Sequence, residues 1–388
     1  MIVAKTFRFR LEPNALQRQL FARFAGCCRF VFNLGLANRK ASYETGGQAL
    51  SYADQCKALP EMKQSEETAW LREIHSQVLQ QALKDLESAY QHFFRRVKDG
   101  DAPGFPKFKK KGQKDAFRYP QGVKVKSGRI YLPKIGWVKY RDSGPVEGKI
   151  LQGAARSVPQ NAREASTIKR EGAHWFIALA CTVEMPDPSP AAVTESRVVG
   201  IDVGLKSFAV LSDGTQIENP LFLKAALVKL RKAQRWLARK TKRSNNWKKQ
   251  VARVVKLHVT VKNSRKDFAH KVSTAIVKNH DVIAVEDLNI KGMVKNRHLS
   301  RAISDVGWKS LLNMLKYKAE WAGKHFVKIG RFEASSKTCS TCGAKKPMPL
   351  SIRTYACGGC GLEMDRDWNA SLNIRAAGLA VLNACGGA

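Results

Sequence analysis

The sequence predicts a multidomain α/β (α+β) chain, with a helical and antiparallel-β part followed by a mixed strand-and-helix part. Three observations carry this. Leu16, Leu20, Phe24, Cys27, Val31 and Leu34 recur at spacings of three and four. Between Phe117 and Met185, short apolar pieces alternate with Gly, Pro and Asp turns, as in GRIYLPKIGWVKY and HWFIALACTVEM. After a Pro- and Ser-rich connector at 186–196, apolar strands are separated by helical stretches. At 388 residues the chain exceeds what one hydrophobic core organises, so roughly two or three domains are expected.

In chain order, the opening IVAKTFRFRL alternates apolar and polar residues as a half-buried strand does, and Glu12-Pro13-Asn14 breaks it. Amphipathic helices are expected from Leu16 to about Tyr43 and from about Ser76 to Val97. GFPKFKKKGQK then sets Phe105 and Phe108 among lysines in a context that forbids regular helix. That composition suits a nucleic-acid backbone with stacking bases, and equally a solvated loop. The antiparallel pieces form a β module, which the opening strand is expected to join. Beyond the connector come strands RVVGIDVG and SFAVLSDG, a long basic helical stretch, strand DVIAVEDL, a helix around Trp308 to Ala322, strand HFVKIGRF, a cysteine segment, and a last helix from about Asp367.

The charge is the first functional clue. Against 32 Asp and Glu stand 68 Lys and Arg, a formal +36, and such a chain repels itself unless a polyanion is its partner. Lys224 to Lys271 holds 17 basic residues and one acid, Asp267, with apolar positions at helical spacing. A helical pair lying along phosphate backbones accounts for this better than solvation does. A membrane role is not expected: the amino end lacks an apolar signal region, and the longest apolar run, Trp175 to Cys181, is too short to span a bilayer. A soluble protein of a reducing compartment is the expectation, with Cys27, Cys28, Cys56, Cys181 and Cys385 as buried or incidental thiols.

Cys339-x-x-Cys342 and Cys357-x-x-Cys360, separated by fourteen residues, form the most specific motif. Each pair turns tightly enough to give two thiolates to one tetrahedral Zn²⁺, and Gly343 and Gly361 follow as such turns require. Four sulfur ligands leave no open position, so this zinc is structural. Three other pieces each place a carboxylate at the end of an element: IDVG with Asp202, VED with Glu286 and Asp287, and DRDWNA with Asp365 and Asp367. Two-metal phosphodiester cleavage needs carboxylates from separate elements to bridge ions about 4 Å apart. Taken together and in this order, the pieces match a ribonuclease H-like nuclease core. Spacing alone leaves both pairs open, since Asp365 could cap the helix and Asp287 sits beside Glu286. Asp305 reads as a helix-start residue after Ser304, outside any metal site.

IDVGLKSFAV, VIAVEDLNI, SKTCSTCGAKK with YACGGCG, and DRDWNASLNIRAAG resemble, in that order and spacing, the TnpB proteins of bacterial IS200/IS605 and IS607 type transposons. TFRFRLEPNALQRQLFARFAGCCRFVFN, LQQALKDLESAYQHFFRRVK and GFPKFKKK extend the resemblance over nearly the whole chain. Trp368 and Ser371 depart from the smaller or aliphatic residues usual in the last motif. The resemblance implies a first wedge strand at 1–10, a helical recognition insert at 11–115, a β-barrel-like wedge domain at 116–190, and a RuvC-like nuclease at 191–388 with a zinc ribbon at 335–363.

It also implies catalytic acids at Asp202, Glu286 and Asp367 holding Mg²⁺, two ions with Mn²⁺ able to substitute, and zinc ligands at Cys339, Cys342, Cys357 and Cys360. The implied partners are a guide RNA from the transposon end, one protein per RNA, and target double-stranded DNA beside a short motif, in the bacterial cytoplasm and on the nucleoid. Tyr52, Gln77 and Gln80 are candidate base-edge readers by chemistry. Lys107, Lys109, Lys110, Arg231, Arg235, Arg239 and Lys242 are candidate nucleic-acid contacts. Competing readings are a compact Cas12f-like effector, a guide-dependent binder that no longer cuts, and a strand-transfer transposase using the same acids. A zinc-ribbon transcription factor leaves the three acids unexplained.

Overall fold

The computed structural model describes residues 2–151, 166–185, 197–330, 333–349 and 352–386, so the connector at 186–196 lies outside the described residues. The chain divides into two compact units, Ile2–Glu184 and Met185–Ala388.

In the first unit, strand β1 (Ile2–Glu12) leads into α1 (Ala15–Glu44). The break at Glu12-Pro13-Asn14 is a capping box: the Asn14 side chain accepts from the Gln17 N–H at 2.8 Å and the Gln17 side chain accepts from the Asn14 N–H at 3.1 Å. Helix α2 (Tyr52–Gln64) follows with its own Ser51–Asp54 capping box, then a 3₁₀ stretch at Glu66–Glu73 and α3 (Ser76–Lys98). The segment 99–115 forms no regular element. The strands are β2 (Ala116–Tyr119), β3 (Lys124–Lys126), β4 (Arg129–Leu132), β5 (Gly136–Arg141), β6 (Lys149–Ile150), β7 (Ser166–Glu171) and β8 (His174–Glu184).

All these strands pair antiparallel in the order β2-β7-β8-β1-β5-β4-β3, with β6 also on β8. The opening strand joins the module as its alternation requires, pairing with β8 from Ile2 to Leu11 and burying Phe9 and Leu11. Phe21, Phe24 and Val31 on α1 close the core with Phe117 and Trp175, and Phe21 meets Trp175 edge-on at 5.2 Å. By length and composition α1 could cross a membrane, yet half of that window is buried inside the protein.

The second unit contains β9 (Val198–Asp202), β10 (Ser207–Leu211), β11 (Gln216–Glu218), α4 (Phe222–Ala238), α5 (Asn245–Asn279), β12 (Val282–Glu286), α6 (Ile290–Met293), α7 (Ser300–Val306), α8 (Trp308–Trp321), β13 (His325–Ile329), β14 (Thr354–Ala356), β15 (Glu363–Asp365) and α9 (Arg366–Gly386). Its main sheet runs β11-β10-β9-β12-β13. β9 pairs antiparallel with β10 and parallel with β12, and β12 pairs parallel with β13. The central strands are apolar throughout because both faces are covered. Val199, Ile201, Ile283 and Val285 point to α5 and α8, while Val198, Val282 and Ala284 point to α9. Each Val or Ile fully buried there contributes roughly 1.5–3 kcal/mol over exposure.

Asp305 does not start a helix. It lies in the last turn of α7, where it accepts from the Leu223 N–H at 3.1 Å and binds Arg265 through Nε at 2.9 Å. The amino end of α4 has no capping side chain of its own, since Leu221 at the cap position carries no acceptor, so a carboxylate from a distant helix takes that role.

Candidate active site

β9 and β12 are parallel neighbours with Ile201 opposite Val285, so Asp202 and Glu286, which end them, leave the sheet side by side. Helix α9 brings the third carboxylate. Gly200 allows it: a Cβ there would overlap the backbone of Ser371 and Arg375, and only hydrogen lets the helix lie that close to β9. Gly378 plays the same part against Ala284 further along. The first turn of α9 then carries Asp367, whose Oδ2 lies 4.0 Å from the position a Cβ on Gly204 would take.

The three acids share one field. Burial foremost, then the charges of Glu286 and Asp367, push the Asp202 carboxyl up to about 7. A buried carboxylate facing two others forms a site whose charge a divalent cation relieves, and oxygen donors of this kind suit Mg²⁺ or Mn²⁺. Both open alternatives acquire distinct environments. Asp365 caps α9, accepting from the N–H groups of Asp367 at 2.9 Å and Trp368 at 3.1 Å. Asp287 pairs with Lys328 at 3.1 Å.

Residues not singled out from the sequence surround the acids. The Ser335 hydroxyl donates to Glu286 Oε1, and Arg353 Nη1 stands 3.9 Å from Asp367 Oδ2. Asn369 and Asn373, one turn apart on α9, bond to the loop before the first cysteine pair. Their N-x-x-x-N spacing is visible in the chain, but the bonded loop carbonyls are not. Trp368 donates its indole N–H to the Ser212 carbonyl at 3.4 Å and packs beside Gly214 of the β10–β11 turn. Ser371, fully buried, presses its backbone on Gly200. Both departures from the family motif thus pack the helix that carries Asp367.

The four motif cysteines form one cluster, with all Sγ atoms within 4.8 Å of one another. Cys339 and Cys360 are 3.6 Å apart and Cys342 and Cys357 3.5 Å, against the roughly 3.8 Å that a tetrahedron of 2.3 Å Zn–S bonds requires. Each knuckle closes through the glycine after it: the Gly343 N–H bonds the Cys339 carbonyl at 3.0 Å and the Gly361 N–H the Cys357 carbonyl at 3.1 Å. The donor set and its spacing fit one zinc ion. Cys27, Cys28 and Cys181 are buried and Cys56 half-buried, while the Cys385 side chain lies outside the described residues.

The candidate nucleic-acid contacts are dispersed. Tyr52 opens α2 against the core, where burial and the Cys56 thiol push its hydroxyl up to about 12. Gln77 and Gln80 lie in the first turns of α3, and Gln77 Oε1 is buried without a hydrogen-bond partner among the described residues. Lys107 and Lys110 are exposed. Lys109 is held by reciprocal bonds to Asn33, with its ammonium 3.8 Å over the Phe32 ring and 3.8 Å from Asp85. Arg231 and Arg235 on α4, and Arg239 and Lys242 after it, are exposed beside Trp236, whose ring Lys232 and Arg253 approach at 5.6 and 5.5 Å.

The strand order β11-β10-β9-β12-β13, with α9 across one face and acids at the ends of β9 and β12, defines a ribonuclease H-like unit of RuvC type bearing a four-cysteine cluster. Residues 180–297 match the OrfB family of IS605, described as "Probable transposase". Residues 308–374 match the "Cas12f1-like, TNB domain" and residues 1–48 a "Helix-turn-helix domain" of OrfB, a span occupied here by β1 and α1. The chain is 39% identical to "Putative RNA-guided DNA endonuclease InsQ" of Escherichia coli (strain K12), over 98% of this chain and 94% of that protein. It is 36% identical to a "Putative RNA-guided DNA endonuclease" of Streptomyces pristinaespiralis, over 99% and 91%. The fold is shared with the protein in the "Cryo-EM structure of the Cas12f1-sgRNA-target DNA complex", with a TM-score of 0.56 at 12% identity over 96% of this chain and 99% of that one. The protein belongs to the TnpB family, the OrfB proteins of IS605-type transposons.

Proposed function

We propose that this protein is a transposon-encoded, RNA-guided DNA endonuclease whose acids are Asp202, Glu286 and Asp367. The observation that carries the reading is the meeting of these three carboxylates, from β9, β12 and α9, in one electrostatic field. They would hold two Mg²⁺ or Mn²⁺ ions. When bound, such ions activate a water for in-line attack and neutralise charge on the leaving oxygen. The chain's own part is to fix the acids: the sheet aligns Asp202 with Glu286, Ser335 orients Glu286, and the Asp365 cap starts the helix that presents Asp367. Cys339, Cys342, Cys357 and Cys360 hold a structural zinc ion with no open position.

The excess of basic residues supports nucleic-acid partners, read here as a guide RNA from the transposon end and double-stranded target DNA, with one protein per RNA, in the bacterial cytoplasm and on the nucleoid. Within this reading 1–10 is the wedge strand, 11–115 the recognition insert, 116–190 the wedge and 191–388 the nuclease, with its ribbon at 335–363. The match of residues 308–374 favours a Cas12f-like effector as the second reading, and a repeat array rather than a transposon end beside the gene would select it.

The deciding experiment is Mg²⁺-dependent plasmid cleavage by protein co-expressed with RNA from the 3′ end of its own gene, using a randomised target flank. Guide-dependent breaks beside one enriched flank, lost in Asp202→Ala with RNA binding intact, are expected. Binding without breaks would instead indicate an inactive binder, and joined ends a strand transferase.

A further inference from the structure

We infer that a chain of hydrogen bonds from the first cysteine knuckle to the acid centre sets the geometry of the acids, which makes Ser335, Asn369 and Asn373 positioning residues. The inference rests on the reading of Asp202, Glu286 and Asp367 as a metal centre. The chain starts on either side of Cys339. The Ser340 N–H donates to Asn369 Oδ1 at 3.0 Å, and Asn369 Nδ2 donates to the Thr338 carbonyl at 2.7 Å. Asn373 Nδ2 donates to the same carbonyl at 2.7 Å and to the Ser335 carbonyl at 2.7 Å. The Ser335 hydroxyl then donates to Glu286 Oε1. Asn369 stands two residues after Asp367 on α9, so one network holds both the helix that carries one acid and the carboxylate of another.

Burial makes the network consequential. Asn369 is fully buried and Ser335 nearly so, hence a lost partner leaves a polar group that water does not readily reach. The segment 333–337 belongs to no strand or helix, and no ladder fixes Ser335 opposite Glu286. Two anchors remain. On one side the Thr338–Lys345 bridge ties the segment to the knuckle, and on the other the two amides tie it to α9. Zinc bound by Cys339 and Cys342 therefore rigidifies the strap on which Glu286 leans, and β15, running directly into α9, ties the second cysteine pair to the same helix. The ribbon acts as a brace for the acid centre.

The test is Mn²⁺ affinity, measured by electron paramagnetic resonance on the full-length, zinc-loaded chain without RNA, with zinc content and thermal midpoint recorded alongside. Ser335→Ala and Asn373→Ala should each weaken Mn²⁺ binding by about 10- to 100-fold while keeping one zinc per chain. Ile374→Val, a buried change on the same helix outside the network, should leave Mn²⁺ affinity unmoved. Zinc removal by a chelator that prefers Zn²⁺ strongly over Mn²⁺ should reproduce the loss in the wild type. Wild-type Mn²⁺ affinity in both Ser335→Ala and Asn373→Ala would overturn the inference, as would an equal loss in Ile374→Val. Should Asn373→Ala fail to fold, Ser335→Ala decides alone. Asp202→Ala separates the two levels: if it binds Mn²⁺ like the wild type, the metal-centre reading fails, whereas a loss there with none in the network variants refutes only the bracing role.

Discussion

Replacing Asp202 by Asn should make the metal-free protein more stable while abolishing cleavage. The reason is the direction in which the fold shifts this group. Its carboxyl rises from 3.8 to about 7, first through burial and then through Glu286 and Asp367. An acid whose folded value exceeds its unfolded value favours folding least when charged, so the penalty is absent below about pH 4, grows up to about pH 7, and is constant above that. A rise of this size corresponds to about 4 kcal/mol, and solvent screening in a partly open cleft reduces it to roughly 2 kcal/mol. For a unit of this size that is about 4–8 °C in Tm. Melting curves of wild type and Asp202→Asn in chelated buffer at pH 8 should differ by this amount, with the variant higher, and the gap should narrow as the pH is lowered to 5 and vanish below about pH 4. Saturating Mg²⁺ should raise the wild type and leave the variant nearly unmoved. A variant that melts below the wild type at pH 8, or a gap that ignores pH, would refute the argument that like charges are held together here.

Other expectations follow from the same structure. Gly200→Ala, whose Cβ would strike the backbone of α9, should destabilise by about 3 kcal/mol or more and lower soluble yield, and a wild-type melting curve would contradict the close approach. Burial holds the Cys28 thiol up at about 12 and those of Cys27 and Cys181 at about 11. Alkylation followed by mass spectrometry at pH 8 should therefore leave these three unmodified. Arg235→Ala on α4 and Arg239→Ala at its end should each weaken RNA binding across sequences and reduce the salt slope by about 1, read from filter binding over a range of ionic strength.

Much of this was legible in the chain because its strongest periodicities are local. The three-and-four spacing of α1 and α3, the apolar runs of β9 and β12, and the paired cysteines each reflect contacts that one element makes with a core or a metal. Helix α2 is harder to foresee, since YADQCKALPEMKQ has few large apolar residues and carries Pro60 inside it. Its Ser51–Asp54 capping box was the available signal. Asp305 was misread for a deeper reason. Its partners, Leu223 and Arg265, lie 82 and 40 positions away, and no spacing rule reports that one helix supplies the cap of another.

The same limit explains why the acids could be nominated from the sequence but not separated from their neighbours. In D-R-D the two carboxylates differ by less than one helical turn, and in E-D they are adjacent, so chemistry alone treats them as equivalent. What distinguishes them is the direction of the chain at that point. β15 ends at Asp365 and α9 begins at the next residue, which leaves the Asp365 carboxylate lying over the first free N–H groups of the helix and turns Asp367 toward β9. β12 ends at Glu286, and Asp287, next along the chain, meets Lys328 of β13. A carboxylate already satisfied by helix N–H groups or by an ammonium has less to gain from a cation than one repelled by two others. On that physical ground the proposed ligands are Asp202, Glu286 and Asp367, and the residues beside them serve to fix the elements from which those carboxylates project.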